Sequence, residues 1–145
     1  MCHGESCGCR GAGIAALRMM VGVVFIAHGY QKLFVYGLAQ VSGMFGHMGI
    51  PLPGVAGPLV TFVELLGGLA LFFGLGTRWA AILLAINMAV AVLAVHAKNG
   101  FFLPTGCEYA LTLLVANVAL ALAGPGVCAV DNLICKKKTE APPAA

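Results

Sequence analysis

The sequence predicts an all-α integral membrane protein, a bundle of four bilayer-crossing helices. The 145 residues are 61% hydrophobic and 9% charged, whereas a soluble domain carries about a quarter charged residues. Apolar runs over 14–27, 58–75, 79–95 and 109–123 approach or match the roughly 20 residues that a helix needs to cross a bilayer. They are separated by turn-forming stretches rather than by a soluble domain. Any chemistry must therefore use groups inside the spans, in short loops or at the chain ends.

The first run follows a Cys/His-rich stretch and carries Arg18 and His28, with no convincing cleavage site after it, so it reads as a retained signal anchor. The connection over 34–57 contains Met44, Phe45, Met48, Ile50 and Pro51-Leu52-Pro53. It is too apolar for a solvated loop and is expected to lie in the interface or fold back over the bundle. Pro58 is expected to open the second helix. Gly67-Gly68 lets a neighbouring helix approach closely. Residues 74–77 supply a tight turn before Arg78 and Trp79 anchor the third helix. Asn99-Gly100 and Pro104 mark the next connection, and Gly124-Pro125-Gly126 ends the fourth helix. The domain reading is a Cys/His-rich segment over 1–12, a four-helix membrane domain over 13–126 and a C-terminal segment over 127–145 with a basic, Pro/Ala-rich tail.

Four spans place both termini on one side, with Arg10, Arg78 and Lys136 to Lys138, against Lys32 and Lys98 on the other. The positive-inside rule puts both termini in the cytoplasm of a bacterial inner membrane. The lysine run suits anionic lipid headgroups. Scattered basic residues and a net charge of +3 give no support to nucleic-acid binding.

Ionisable side chains within spans are costly unless paired or hydrated. Counting turns from the helix ends places His28 and Glu64 at one level, with Lys32 above His28 on the same face. His96 and Glu108 flank the other connection at that end. His28, Lys32, Glu64, His96 and Glu108 thus gather as a structural ion-pair network, a ligand- or proton-handling pocket, or unpaired residues snorkelling outward, with His96 by itself suited to the headgroup level. Asn87 and Asn117 are expected to hydrogen-bond between helices. Arg18 is expected to snorkel to the inner interface, and Asp131 to pair with Arg18 or Arg78. Tyr30, Tyr36, Trp79 and Tyr109 fit interfacial belts, and any of them could instead stack on a flat ligand.

Cys2, His3, Cys7 and Cys9 offer four soft ligands in eight residues, and Cys128 and Cys135 return to the same end. This pattern allows a thiophilic metal site, thiol redox chemistry or acylation, or simply a reduced tail. Cytoplasmic placement argues against structural disulfides.

Ordered motifs over 17–131 resemble the DoxX family of small bacterial membrane proteins. They are Arg18, the run from His28 through Leu33, the run from Met48 through Pro53, Glu64-Leu65-Leu66-Gly67-Gly68, Thr77-Arg78, Asn99-Gly100-Phe101-Phe102, Gly106 with Glu108-Tyr109, and Gly124-Pro125-Gly126 leading to Asp131. The resemblance implies a four-helix membrane bundle and, from some relatives, quinone-linked sulfur oxidation or oxidant and thiol detoxification. The terminal cysteines depart from the ordinary family pattern. Three functions follow as competing expectations: a redox-associated subunit that accepts a quinone or similar apolar molecule and works with a redox partner, a small-solute transporter working as a homo-oligomer, and a non-catalytic scaffold. No flavin or nicotinamide fingerprint is present.

Overall fold

A computed structural model describes residues 4–102 and 104–132, with side chains from Arg10 onward. Among the described residues the chain is predominantly helical, with no strand. Helix α1 spans Gly4–Tyr30 and continues as a π-helical stretch over Gln31–Tyr36. Helix α2 spans Leu38–His47, α3 Pro53–Phe73 and α4 Thr77–Ala91. The last continues through a π-helical stretch, Val92–His96, and a 3₁₀ turn, Ala97–Asn99. Helix α5 spans Glu108–Ala123.

Three apolar segments, Arg10–Tyr36, Pro53–Phe73 and Thr77–Asn99, are long enough to cross a membrane. Helix α5 has 16 residues, about 24 Å at 1.5 Å per residue, and completes the four-helix bundle as its shortest member. We call the end holding Gly11 and Asp131 the terminal end and the other the far end.

The second crossing helix opens at Pro53 rather than at Pro58, which lies inside its first turns. Pro53 occupies a first-turn position where no N–H partner is needed. Pro58 forfeits only the bond that would have gone to the Gly54 carbonyl. The connection over 34–57 is not a loop. It holds α2, which folds back on α3, with Val41 2% exposed. A Cβ at Gly57 would stand 2.7 Å from Ser42 Oγ.

Glycine sets the distance between α1 and α3, which run antiparallel. A Cβ on Gly68 would lie 2.7 Å from the backbone nitrogen of Ile26, and one on Gly29 2.7 Å from that of Leu65. No side chain fits between backbones at such separations, so contact is direct, as in close membrane helix pairs. Gly67 faces Leu84 of α4 instead. Val21, Phe25, Leu71, Leu84, Leu113 and Leu120 fill the core between α1, α3, α4 and α5. Gly74 ends α3 in the left-handed region at φ +69°. The Leu75 N–H reaches back to the Ala70 carbonyl at 2.8 Å, a glycine-terminated helix end.

Candidate functional site

The contact of Gly29 with Leu65 brings the end of α1 alongside the middle of α3. Lys32, three residues farther along, reaches Glu64, the twelfth residue of the 21-residue α3. Lys32 Nζ donates to Glu64 Oε2 at 2.5 Å, with side-chain exposures of 22% and 4% respectively. Asn87 Nδ2 of α4 donates to Glu64 Oε1 at 3.2 Å. One carboxylate thus ties together three membrane segments, each of its oxygens holding one donor. A charge so deep is tolerable only when paired and hydrogen-bonded. Asn87 fulfils the expected interhelical role, with Glu64 as its partner.

His28, expected opposite Glu64, makes its contacts with Val24 and Tyr109. Its Nδ1 lies 2.9 Å from the Val24 carbonyl, and its ring stacks on Tyr109 of α5 at a centroid distance of 5.9 Å. The α-helical register that would stack Lys32 directly above His28 gives way at Gln31 to wider π-helical turns, which change the angular relation of the two side chains. Tyr109, expected as an interfacial anchor or a surface for a flat ligand, stacks on the His28 ring. Its signal in the sequence was its place next to Glu108 at the start of the fourth helix, level with His28.

His96 and Glu108 stay at the far end. The His96 Nδ1 lies 3.2 Å from the Thr105 carbonyl and ties the α4–α5 connection to its helix. Glu108 begins α5, where negative charge complements the helix dipole.

A second polar group closes the terminal end. Arg18 does not snorkel to the interface: it is 0% exposed, and its Nη2 donates to the Cys128 carbonyl at 3.0 Å. The chain after α5 folds across the helix ends and covers it. The Val127 N–H donates to the Gly11 carbonyl at 3.3 Å, and the Asp131 N–H to that of Gly74 at 3.0 Å. Asp131 accepts from the Gly76 and Thr77 N–H groups at 2.7 and 2.9 Å, so its carboxylate caps α4. Burial works to raise the Asp131 pKa, but the Thr77 and Gly76 hydrogen bonds and the Arg18 charge outweigh it and hold the group below its ordinary value. Arg78 is exposed and lies beside Gly124. Asn117, expected to bond between helices, donates within its own helix to the Leu113 carbonyl at 2.7 Å.

Cys2, His3 and Cys135 lie outside the described residues, as does the tail from Lys136 onward. Cys7 and Cys9 fall in the first turns of α1, before the described side chains begin. Among the described residues no three metal-ligating side chains gather.

The family model described as DoxX matches residues 13–97. A protein of Bacillus subtilis named "Putative oxidoreductase CatD" is 32% identical, the match covering 87% of this chain and 90% of that protein. An uncharacterized protein of Haemophilus influenzae is 35% identical over 86% of this chain and 92% of its own. "Inner membrane protein YqjF" of Escherichia coli is 30% identical over 86% and 94%. No solved structure matches.

Proposed function

We propose that this chain, which belongs to the DoxX family, is a redox-associated membrane subunit that receives the head of a quinone or a similar apolar molecule at Lys32, Glu64 and Asn87. The observation that carries the reading is a carboxylate buried midway along α3 and held by an ammonium and an amide from two other segments. A bundle with an apolar surface and one such polar centre suits a ligand with a greasy body and a carbonyl head. A relative named as a putative oxidoreductase supports the redox direction.

Lys32, the more exposed member of the pair, donates to the ligand carbonyl and offsets negative charge developing there on reduction. Glu64 and Asn87 orient the ammonium, and the Glu64 carboxylate is placed to exchange a proton. The exposed His28 and its stacked partner Tyr109 offer flat faces to a ring and a second proton-exchanging group. A quinone supplies two-electron, two-proton chemistry, with electrons delivered by a partner protein of the same membrane. Both termini face the cytoplasm in this reading, and the partner's reaction concerns thiol or sulfur oxidation or oxidant defence.

The test is binding of decylubiquinone to purified wild type, His28→Ala and Glu64→Gln, each verified as folded. Glu64→Gln removes the charge that orients the Lys32 ammonium and His28→Ala removes a stacking face, and each is expected to weaken binding at least about tenfold. Equal binding by all three, together with unchanged thiol- or sulfur-linked quinone reduction in membranes lacking the protein, would leave transport or scaffolding as the better account.

A further inference from the structure

The far end carries a second feature, on the same face of α3 as Glu64. Gly57, Thr61 and Glu64 are buried on successive turns of that face, with Gly57 about 10 Å nearer the far end than Glu64. Helix α2 lies over it. A Cβ at Gly57 would stand 2.7 Å from Ser42 Oγ and 3.1 Å from the Ser42 backbone nitrogen, so Ser42 packs directly on the α3 backbone. Thr61, between Gly57 and Glu64, is 0% exposed and donates to the Gly57 carbonyl of its own helix at 2.8 Å. Helix α2 therefore covers the stretch of α3 that separates the carboxylate from the far-end interface.

The fastening of α2 is light. Its one buried residue is Val41. Among the described residues no α2 side chain is held by a hydrogen bond or ion pair. Glycine stands at both ends, Gly37 at φ +79° and Gly49 at φ +76°, values that residues with a side chain rarely adopt. A Cβ at either would meet nothing within 4 Å, so glycine is there for backbone conformation and not for space. A short helix with little buried surface, set between two such points, has the build of a hinged cover. The segment leading into it, Gln31–Tyr36, carries Lys32, so α2 is joined through the chain to the partner of Glu64.

We propose that α2 is a hinged cover over the Lys32–Glu64–Asn87 centre, swinging at Gly37 and Gly49 to control access to Glu64 from the far-end aqueous side. In the closed form Glu64 is 4% exposed and Lys32 22%. Opening lifts Ser42 from Gly57 and clears the path along α3 by which water, a proton or a ligand head reaches the carboxylate. The inference rests on the reading of this centre as a ligand site, but it concerns access and not the identity of the ligand.

The experiment is labelling of the full-length protein in nanodiscs with a water-soluble carbodiimide and glycine ethyl ester, followed by peptide mass spectrometry. Modification of Glu64 is read as its glycine ethyl ester adduct or as its amide with Lys32. Asp131, at the terminal end, is the reference carboxylate in the same sample. Val41→Ala thins the one buried anchor of α2, and Gly57→Ala places a Cβ against Ser42. Each is expected to raise the Glu64 rate about tenfold, with the Asp131 rate unchanged. A Glu64 rate equal to wild type in either variant, or an equal rise at Asp131, would overturn the proposal. The labelling needs no quinone, so flat rates would defeat the cover alone, whereas equal decylubiquinone binding by wild type, His28→Ala and Glu64→Gln would defeat the ligand reading and leave these rates untouched.

Discussion

Lys32 and Glu64 are partners of unequal depth, and removing each should cost a different amount. With Lys32→Met, Glu64 keeps only the Asn87 amide, and its side chain is only 4% exposed. A buried charge left without its counter-ion typically costs about 3–5 kcal/mol. With Glu64→Gln, the amide still accepts from Asn87, and the stranded ammonium starts 22% exposed, one turn from the end of its helix at Tyr36. It can extend toward the interface, which lowers the cost to about 1–2 kcal/mol. The double variant removes both charges and should cost no more than about 2 kcal/mol, because replacing an ion pair as a unit is often near neutral. The cycle then yields a coupling of at least about 2 kcal/mol. Reversible unfolding in mixed micelles, followed by circular dichroism, measures all four proteins. Additive single variants, or Glu64→Gln costing as much as Lys32→Met, would refute the depth argument.

Gly74→Ala should destabilise by at least about 2 kcal/mol, since the residue must adopt φ +69° and its new Cβ would collide with the Arg18 guanidinium; a thermal midpoint equal to wild type would contradict this. The depressed Asp131 pKa means that its contribution is fully present above the unfolded-state value and is lost as pH falls through the lower folded value. Acid titration of stability should therefore show a loss only below the ordinary aspartate range, and Asp131→Asn should remove that component while losing about 1 kcal/mol of capping at neutral pH. With both termini cytoplasmic, an impermeant thiol reagent on intact cells should label Cys107 and spare Cys128; the reverse pattern would invert the orientation.

The spans were legible because apolar composition over some twenty residues has few other uses, and the cost of a charge among them marked Glu64 as a residue needing a partner. Its partner was less legible. Equal depth pointed to His28, and an α-helical count kept Lys32 on the same face. The π-helical turns from Gln31 carry no sequence signature, yet they accompany the different positions of these two side chains. Helix α2 was hidden by Gly43 and Gly46, which lower helix propensity in a segment stabilised by packing on α3. Arg18 looked free to snorkel because its cover comes from residues 127–131, more than a hundred positions away. Such long-range closure, like the capping of α4 by Asp131, is set by tertiary packing and leaves no local pattern.

The central claim is that the buried carboxylate centre on α3 receives a quinone head. It is tested most directly by photo-crosslinking a ring-azido quinone to the protein in native membranes and locating the adduct by peptide mass spectrometry. The account predicts adducts concentrated on peptides containing His28 and Lys32, Glu64 or Tyr109, suppressed by excess unlabelled quinone and diminished in Glu64→Gln. Adducts confined to exposed apolar positions such as Leu66 and Phe73, or spread over lipid-facing positions without competition, would contradict it.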